Sequence, residues 1–481
     1  MAETLKEKTA KGLFWGGLSN GVQQVLNLVF GIFLARMLSQ SDYGMVGMLT
    51  IFSTIAAALQ EGGFISALNR KKEVTYKDYN AVFWTSTLLG LSFYTILFFC
   101  APLIAYFYGI PELVSLSRFV FLTFLIGSFG VAPNAFLFRN MMVRERAIAS
   151  ISSILISGLV GVAMAANGFA YWGIATQSIV HLLVITTLCY YFAKWKPSLQ
   201  IDFSPVREMF GFGSKLIITN IFNIINGNIF SVLLGKMYTA HEVGNYSQAN
   251  KWNNMGSSLI SGMLANIAQP VFAKADDDKE RQKRIFRKLL RFTAFISFPA
   301  MFGLALVAKE FIVILLTEKW LESALIMQML CIAGAFSPIS ALFSNLIITR
   351  GHSTTYMWCT IALCLIQLLS VIIAAPYGIN RMIQVYILIN ISWLFVWHHY
   401  ASKEVDLKLI EIVKDIAPYL FLSSIIVIAA YYCTAHISNL CLCLITKIVF
   451  VSITYCLILW ILHSTIFRET FLFFTKKKIQ E

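Results

Sequence analysis

Apolar stretches long enough to cross a lipid bilayer recur along this chain from about residue 12 to residue 467, and that recurrence decides what it can fold into. A hydrocarbon core about 30 Å thick is crossed by about 20 helical residues, and roughly fourteen such stretches can be counted. Strands are a poor alternative. A membrane barrel would show segments of about 10 residues alternating with period two, whereas "LLGLSFYTILFFCAPLIAYF" (residues 88–107) is apolar on every face. The expected fold class is therefore all-α, a polytopic membrane protein of about 14 transmembrane helices. Composition agrees: 58% hydrophobic and 13% charged residues, with a mean hydropathy of +0.72, lie outside the globular range. "MAETLKEKTAKGLFW" has no small-residue cleavage site and runs directly into the first span, so no cleavable signal is expected.

A net charge of +14 raises the question of nucleic acid, and the placement of the charges answers it. Thirty of the thirty-eight Lys and Arg fall in the tails and in alternate loops, among them "NRKKEVTYKD", "AKADDDKERQKRIFRKLLR" and the "KKK" at 476–478. Opposite loops such as "FYGIPEL" and "ANGFAYWG" carry few or none. This is the positive-inside asymmetry; it puts both termini in the cytoplasm of a multi-pass protein and leaves no contiguous basic patch for nucleic acid. The nine cysteines lie mostly in apolar spans with no C-x-x-C pair, so they read as packing residues, and neither metal nor cofactor is expected.

The chain also repeats itself. "ARMLSQSDYG" (35–44) and "GKMYTAHEVG" (235–244) pair Arg36 with Lys236, Ser39 with Thr239, Asp42 with Glu242 and Gly44 with Gly244. The likeness continues upstream, where Asn20 meets Asn220 and Phe30 meets Phe230. Each stretch reads as the outer turn between the first two helices of a bundle. An even number of spans separates the copies, so they form a parallel repeat. Three segments follow: a six-helix lobe over residues 1–200, a second over 201–402, and two further helices with a basic tail over 403–481. The Pro- and Gly-containing stretch "AKWKPSLQIDFSPVREMFGFG" reads as a tether between lobes. Residues 274–291 read either as an amphipathic helix on the inner leaflet or as a solvated loop.

Polar residues inside spans are costly and tend to face a bundle interior or a wet cavity. The first helix carries Asn20, Gln24 and Asn27 on one face, and the seventh repeats this with Thr219, Asn223 and Asn226, with Asn220 and Asn228 nearby. The eighth aligns Lys251, Asn254 and Ser258, and the second adds Ser53, Gln60 and Glu61. Singly, such residues serve as glue between helices; as a set that recurs in both halves, they point to a hydrated path. Lys251 lies roughly 15 Å into its helix, too deep for a terminal charge, and suits an anionic group. Snorkelling to the interface is its structural alternative. Glu61 is the candidate for a coupling cation or proton, with pairing to a loop base as its alternative. Arg36, Asp42, Lys236 and Glu242 mark the outer mouth. Hydrolytic chemistry has little support: His398 and His399 are adjacent and point to different faces, and no nucleotide-binding glycine motif occurs.

"LARMLSQSDYGMVGM", "LQEGGFISALNRKKEVTYKDYNAVFW" and "LLGKMYTAHEVGNYSQANKW" resemble the signatures of the polysaccharide transporter family, the Wzx-type flippases of the multidrug/oligosaccharidyl-lipid/polysaccharide exporter superfamily. The resemblance implies two six-helix lobes in a V around a central cavity, with two further helices. It implies an exporter, not an enzyme, that moves an undecaprenyl-pyrophosphate-linked oligosaccharide across the bacterial cytoplasmic membrane for O-antigen, capsule or exopolysaccharide synthesis. Membrane lipids, polysaccharide polymerase machinery and a coupling Na+ or H+ are the further implied partners. In related lipid flippases basic residues on helices 1, 2 and 8 hold the pyrophosphate; here only Lys251 has a counterpart, and helix 1 offers amides. The rivals are a MATE-like cation-coupled multidrug exporter, a membrane-embedded glycosyltransferase or polymerase, whose catalytic set the short outer loops have no room for, and a scaffold for the envelope-polymer machinery.

Overall fold

The computed structural model describes residues 5–61, 68, 71, 73–200, 202–274, 279–464 and 466–469. Among these there is no strand. Hydrocarbon leaves backbone N–H and C=O groups nothing to bond to except each other, and an α-helix closes those bonds within one segment. Among the described residues eleven helical segments are long and apolar enough to cross a membrane, which leaves the fourteen spans read from the sequence unconfirmed as a count. Large apolar side chains stand exposed along the molecule, Phe99, Phe421, Ile425 and Ile453 among them, as lipid contact requires.

Two compact units divide at Gly244 and Asn245. The first contains α1 (Leu5–Met37), α2 (Gln40–Glu61), α3 (Tyr76–Tyr108), α4 (Leu113–Val120), α5 (Leu122–Arg139), α6 (Val143–Ala166), α7 (Tyr171–Ala193) and α8 (Ser204–Met237). Within it α6 packs on α7 and α1, α5 packs on α3 and α7, and α8 lies along α2 and α3. An aromatic cluster of Tyr79, Phe83, Phe129 and Trp195 closes one end. Residues 196–200 of the stretch read as a tether are fastened to α3. The Trp84 indole donates to the Ser198 carbonyl at 2.7 Å, and the Tyr76 hydroxyl donates to that of Lys196. The Asn80 amide donates to the Gln200 carbonyl and accepts from the Ser198 N–H. Three polar side chains on one helix face thereby satisfy a backbone that no helix or sheet would satisfy.

The repeated turns have a shared physical basis. Ser39 donates both its N–H and its hydroxyl to Asp42 Oδ2, at 2.8 and 2.6 Å, and its hydroxyl accepts from the Asp42 N–H. Two hundred residues on, Thr239 donates its N–H and hydroxyl to Glu242. Each is a capping box, a side chain three residues into the helix reaching back to the cap. The glycines answer to a close approach: a Cβ on Gly44 would lie 1.7 Å from the Ala240 carbonyl oxygen, and one on Gly244 would lie 1.9 Å from that of Gln40. Residues 40 and 240 are themselves equivalent, so the two copies touch through one reciprocal contact.

The second unit begins within α9 (Ala240–Lys274) and continues through α10 (Lys279–Leu316), α11 (Leu321–Thr349), α12 (Ser353–Ala374), α13 (Ile379–Val405), α14 (Leu409–Thr434) and α15 (Leu440–Ile461). α10 is its spine, packed against α11, α14 and α15. Residues 279–291, read as a surface helix or loop, are the first turns of α10. Phe286 and Leu290 are fully buried, and the Phe286 ring lies 5.0 Å from that of Phe343.

The last two helices are pinned to α10 at three depths. Near one end Arg287 forms a two-pronged pair with Asp415, at 2.7 and 3.1 Å, and bonds Glu411 as well, which also pairs with Lys283 at 3.0 Å. Midway, the Tyr455 hydroxyl donates to the Phe295 carbonyl at 2.8 Å. Near the other end Lys447 Nζ meets Glu310 Oε1 at 2.7 Å, both residues buried. The sequence reading passed over this last pair, whose members sit 137 residues apart in separate apolar runs.

Two predictions follow from this packing. Gly44→Ala and Gly244→Ala should each destabilise the detergent-purified protein by about 1–3 kcal/mol in thermal unfolding, because a backbone must move. Gly303→Ala, whose added Cβ meets nothing within 4 Å, should leave stability unchanged or raise it by up to about 1 kcal/mol. Lys447→Met or Glu310→Gln alone strands a buried polar or charged partner and should cost about 3–5 kcal/mol, while the double substitution recovers most of the loss. Additive costs in that cycle would show that the two side chains do not act as a pair.

Candidate functional site

In the first unit α1, α2 and α4 to α7 surround a cavity of about 630 Å³. α1 contributes Gln23 and Asn27, and α2 contributes Thr50 and Ser53. Asn134 enters from α5, and Gln177 with His181 from α7. The described lining holds amides, hydroxyls and one imidazole, with no carboxylate, lysine or arginine. Such walls offer both donors and acceptors without fixed charge, which suits water or a polyol better than an ion.

Of the residues singled out in the first helix, Asn27 lines this cavity, while Asn20 and Gln24 stand exposed on α1 beside it. Gln23, one residue from the stripe, faces the cavity and donates to Ser19 at 2.7 Å. Asn134, Gln177 and His181 were not anticipated. Gln177 and His181 are four apart in the apolar run "TQSIVHLLV", the same one-face signal that marked the first helix. On α8, Asn220 and Asn223 are exposed and Asn226 is half-buried. The side chains of Gln60 and Glu61, at the end of α2, lie outside the described residues.

At the outer turns, Asp42 and Glu242 serve as the caps described above. Lys236 donates to the Phe107 carbonyl at 2.6 Å and lies 4.8 Å from the centre of that ring. Arg36 is exposed at the end of α1.

In the second unit, Lys251, Asn254 and Ser258 share the exposed edge of α9. Lys251 is eleven residues from the start of a helix that rises about 1.5 Å per residue, roughly 16 Å along its axis. That is half the thickness of a hydrocarbon core of about 30 Å. Its Nζ lies 6.0 Å from the centre of the Trp252 ring. Beside this edge a smaller cavity of about 160 Å³ opens between α9, α11, α12 and α13.

His398 bonds the Leu407 carbonyl at 2.9 Å through Nε2. The nine cysteines are all free thiols, and among the described residues no cluster of three potential ligands could hold a metal.

Comparison with known proteins identifies the fold and the family. The family profile described as "Polysaccharide biosynthesis protein" matches residues 33–325. The lipopolysaccharide biosynthesis protein WzxC of Escherichia coli (strain K12) is 26% identical over 356 residues, 73% of this chain and 71% of WzxC. The teichuronic acid biosynthesis protein TuaB of Bacillus subtilis (strain 168) is 24% identical over 398 residues, 82% of this chain and 80% of TuaB. Among solved structures, the lipid II flippase MurJ in an inward closed conformation matches with a TM-score of 0.75 at 15% identity, over 93% of this chain and 99% of MurJ. An inward-facing multidrug resistance transporter of the MATE family, of the MOP superfamily, matches with a TM-score of 0.65 at 16% identity, over 80% of this chain and 94% of that one. Those structures establish the fold, an all-helical membrane transporter fold. The sequence motifs, the family profile and the relatives agree: the chain belongs to the polysaccharide biosynthesis protein family, and its fold is the one seen in the MurJ and MATE structures.

Proposed function

We propose that this protein moves a polyprenyl-pyrophosphate-linked oligosaccharide, a repeat unit of a surface polysaccharide, from the inner to the outer leaflet of the bacterial cytoplasmic membrane by alternating access. The reading rests on one observation above the rest: Lys251 stands exposed about a third of the way along α9, roughly 16 Å from its start, with Asn254 and Ser258 on the same edge. A lysine facing hydrocarbon at that depth costs about 2.5–3.5 kcal/mol, and its exposed amide neighbour adds to the penalty. Water or a hydrophilic cargo against that edge removes the cost. The exposed amides Asn20 and Gln24 of α1 and Asn220 of α8 make the same demand.

The chemistry fits a headgroup of this kind. A pyrophosphate cannot enter hydrocarbon unpaired, and a lysine supplies its counter-charge without committing to one geometry. Sugar hydroxyls need donors and acceptors together, which asparagine and glutamine side chains carry. The lipid tail needs neither and stays in the bilayer. The names of the relatives support this cargo class: WzxC and TuaB are named for the biosynthesis of surface polymers, and MurJ is named a lipid II flippase. Both termini face the cytoplasm in this reading, residues 1–200 and 201–402 act as the two moving lobes, and Glu61 is the proposed coupling position for Na+ or H+. A multidrug exporter is less well supported, since the relatives are polysaccharide biosynthesis proteins and the first-unit cavity has no carboxylate among its described lining.

Two measurements test the proposal. Deletion should cause lipid-linked repeat units to accumulate on the cytoplasmic leaflet, and an unchanged lipid-linked pool would rule the cargo out. Replacing Lys251 by Ala removes a charge-assisted contact of about 1.5–3 kcal/mol, so export should fall at least about tenfold, whereas Lys251→Arg stays within about twofold of the wild type. Full activity in both would remove the lysine from the mechanism.

A further inference from the structure

The cavity in the second unit differs from the exposed edge beside it. The edge carries a charge; the cavity has none among its described lining residues. α9 supplies Asn250, Asn253, Asn254 and Ser257, and α11 supplies Ser337 and Ser340. Opposite them α13 supplies Tyr386, Asn390, Trp393 and Trp397. One wall thus sets amides and hydroxyls among the apolar Leu330, Ala333 and Phe336, and the other is dominated by aromatic rings. The Trp397 ring is held in place by stacking on Tyr356 at 5.6 Å. Asn390 is fixed by donating to the Tyr386 carbonyl at 2.8 Å and accepting from Gln367 at 3.2 Å. Rigid aromatic walls with a few placed polar groups are the composition of a ligand pocket rather than of a helix interface.

We infer that this cavity is a saccharide subsite, taking one sugar ring of the oligosaccharide, an inference that rests on the cargo proposed above. Three observations converge on it. The first is size: about 160 Å³ holds about five waters at about 30 Å³ each, the room of a single ring and not of a whole repeat unit. The second is the pairing of chemistries. A pyranose presents C–H faces that lie against an indole and equatorial hydroxyls that both donate and accept, and the two walls match those two kinds of surface. A bare cation would meet no carboxylate there, and a phosphate no base.

The third observation is unmet bonding in the wall itself. Asn253 Oδ1 and Trp393 Nε1 are buried without a hydrogen-bond partner, one an acceptor and the other a donor, each costing about 1–3 kcal/mol in that state. Both are closed to water here, so a side-chain rotation must bring them onto a ligand; a hydroxyl then satisfies either. Asn254 belongs both to this cavity and to the edge that carries Lys251, three residues and about 4.5 Å of helix rise away. A sugar ring in the cavity and an anionic group on Lys251 are therefore within one turn of each other, the spacing of a glycosyl pyrophosphate.

The test uses methyl glycosides, which carry neither pyrophosphate nor lipid, so it reads the subsite separately from export. Full-length protein in lipid nanodiscs is mixed with methyl hexosides, N-acetylhexosaminides and hexuronides, and saturation-transfer NMR detects ring protons held against the protein. At least one glycoside should show transfer well above empty nanodiscs. Ser340→Leu, which fills the cavity, and Ser337→Leu, at its exposed rim, should each cut that signal at least about fivefold with helicity and unfolding midpoint retained. Should Ser340→Leu fail to fold, the rim variant decides alone. No transfer from any glycoside, or equal transfer in the folded variants, would overturn the subsite and leave a water-filled void. Glycoside binding that persists alongside an unchanged lipid-linked pool in the deletion strain would instead retain the subsite and overturn only the cargo.

Discussion

Hydrocarbon offers a polar side chain nothing to bond to, and that single constraint organises this protein from its sequence to its proposed work. It forces the backbone into helices, which close their own hydrogen bonds, and it turns every polar group left inside a span into a question about what meets it. The protein answers in three ways. Some polar groups pair inside a unit, as Lys447 and Glu310 do at 2.7 Å. Some spend their bonds on the backbone, as Asn80 and Trp84 do by fastening residues 198–200 to α3. Others, among them Asn20 and Gln24 on α1, Asn220 on α8 and Lys251 on α9, stand exposed, and the proposed function sets a wet or hydrophilic neighbour against them.

How much of this was legible in the sequence follows from what each feature leaves there. The fold class was plain, because span length is a direct consequence of bilayer thickness. The twin turns were plain too, since a capping box needs a hydroxyl and a carboxylate at fixed spacing, and Ser39 with Asp42 and Thr239 with Glu242 keep it. The reason for Gly44 and Gly244 was not legible. A helix start tolerates glycine for several reasons, and only coordinates reveal a neighbouring carbonyl where a Cβ would be. The Lys447 and Glu310 pair was hidden for a related reason: each looks like an isolated cost in an apolar run until the other is found 137 residues away.

The functional residues divide along the same line. Stripes on a single helix were readable, because periodicity is local, and Asn27, Asn254 and the exposed face around Lys251 came from it. Cavities built from four or six helices were not. His181 and Asn134 in the first unit, and Trp393 and Asn390 in the second, gain meaning only from what the other helices bring beside them. The surface reading of residues 274–291 failed through the reverse error. Basic residues around Phe286 suggest a membrane-surface helix, yet the same spacing serves a buried stripe whose charged flank, Lys283 and Arg287, pairs with Glu411 and Asp415.

Under the proposed function, the second unit's cavity and the lysine edge would divide the labour that a glycosyl pyrophosphate imposes. A site that held the whole headgroup by charge would favour the anion and discriminate weakly among sugars, since a lysine's attraction is non-directional while hydroxyl recognition depends on geometry. Here the one charged group on that edge of α9 lies outside the neutral cavities, and the amide and aromatic walls lie where an uncharged ring fits. Under that proposal, charge and shape recognition on neighbouring turns of α9 would let one helix hold the pyrophosphate while its cavity face suits a particular sugar. Retaining Lys251 while changing Ser340 or Trp393 would then alter which saccharide is accepted without weakening the hold on pyrophosphate, and exporters of different polymers can share a fold while differing in the cavity.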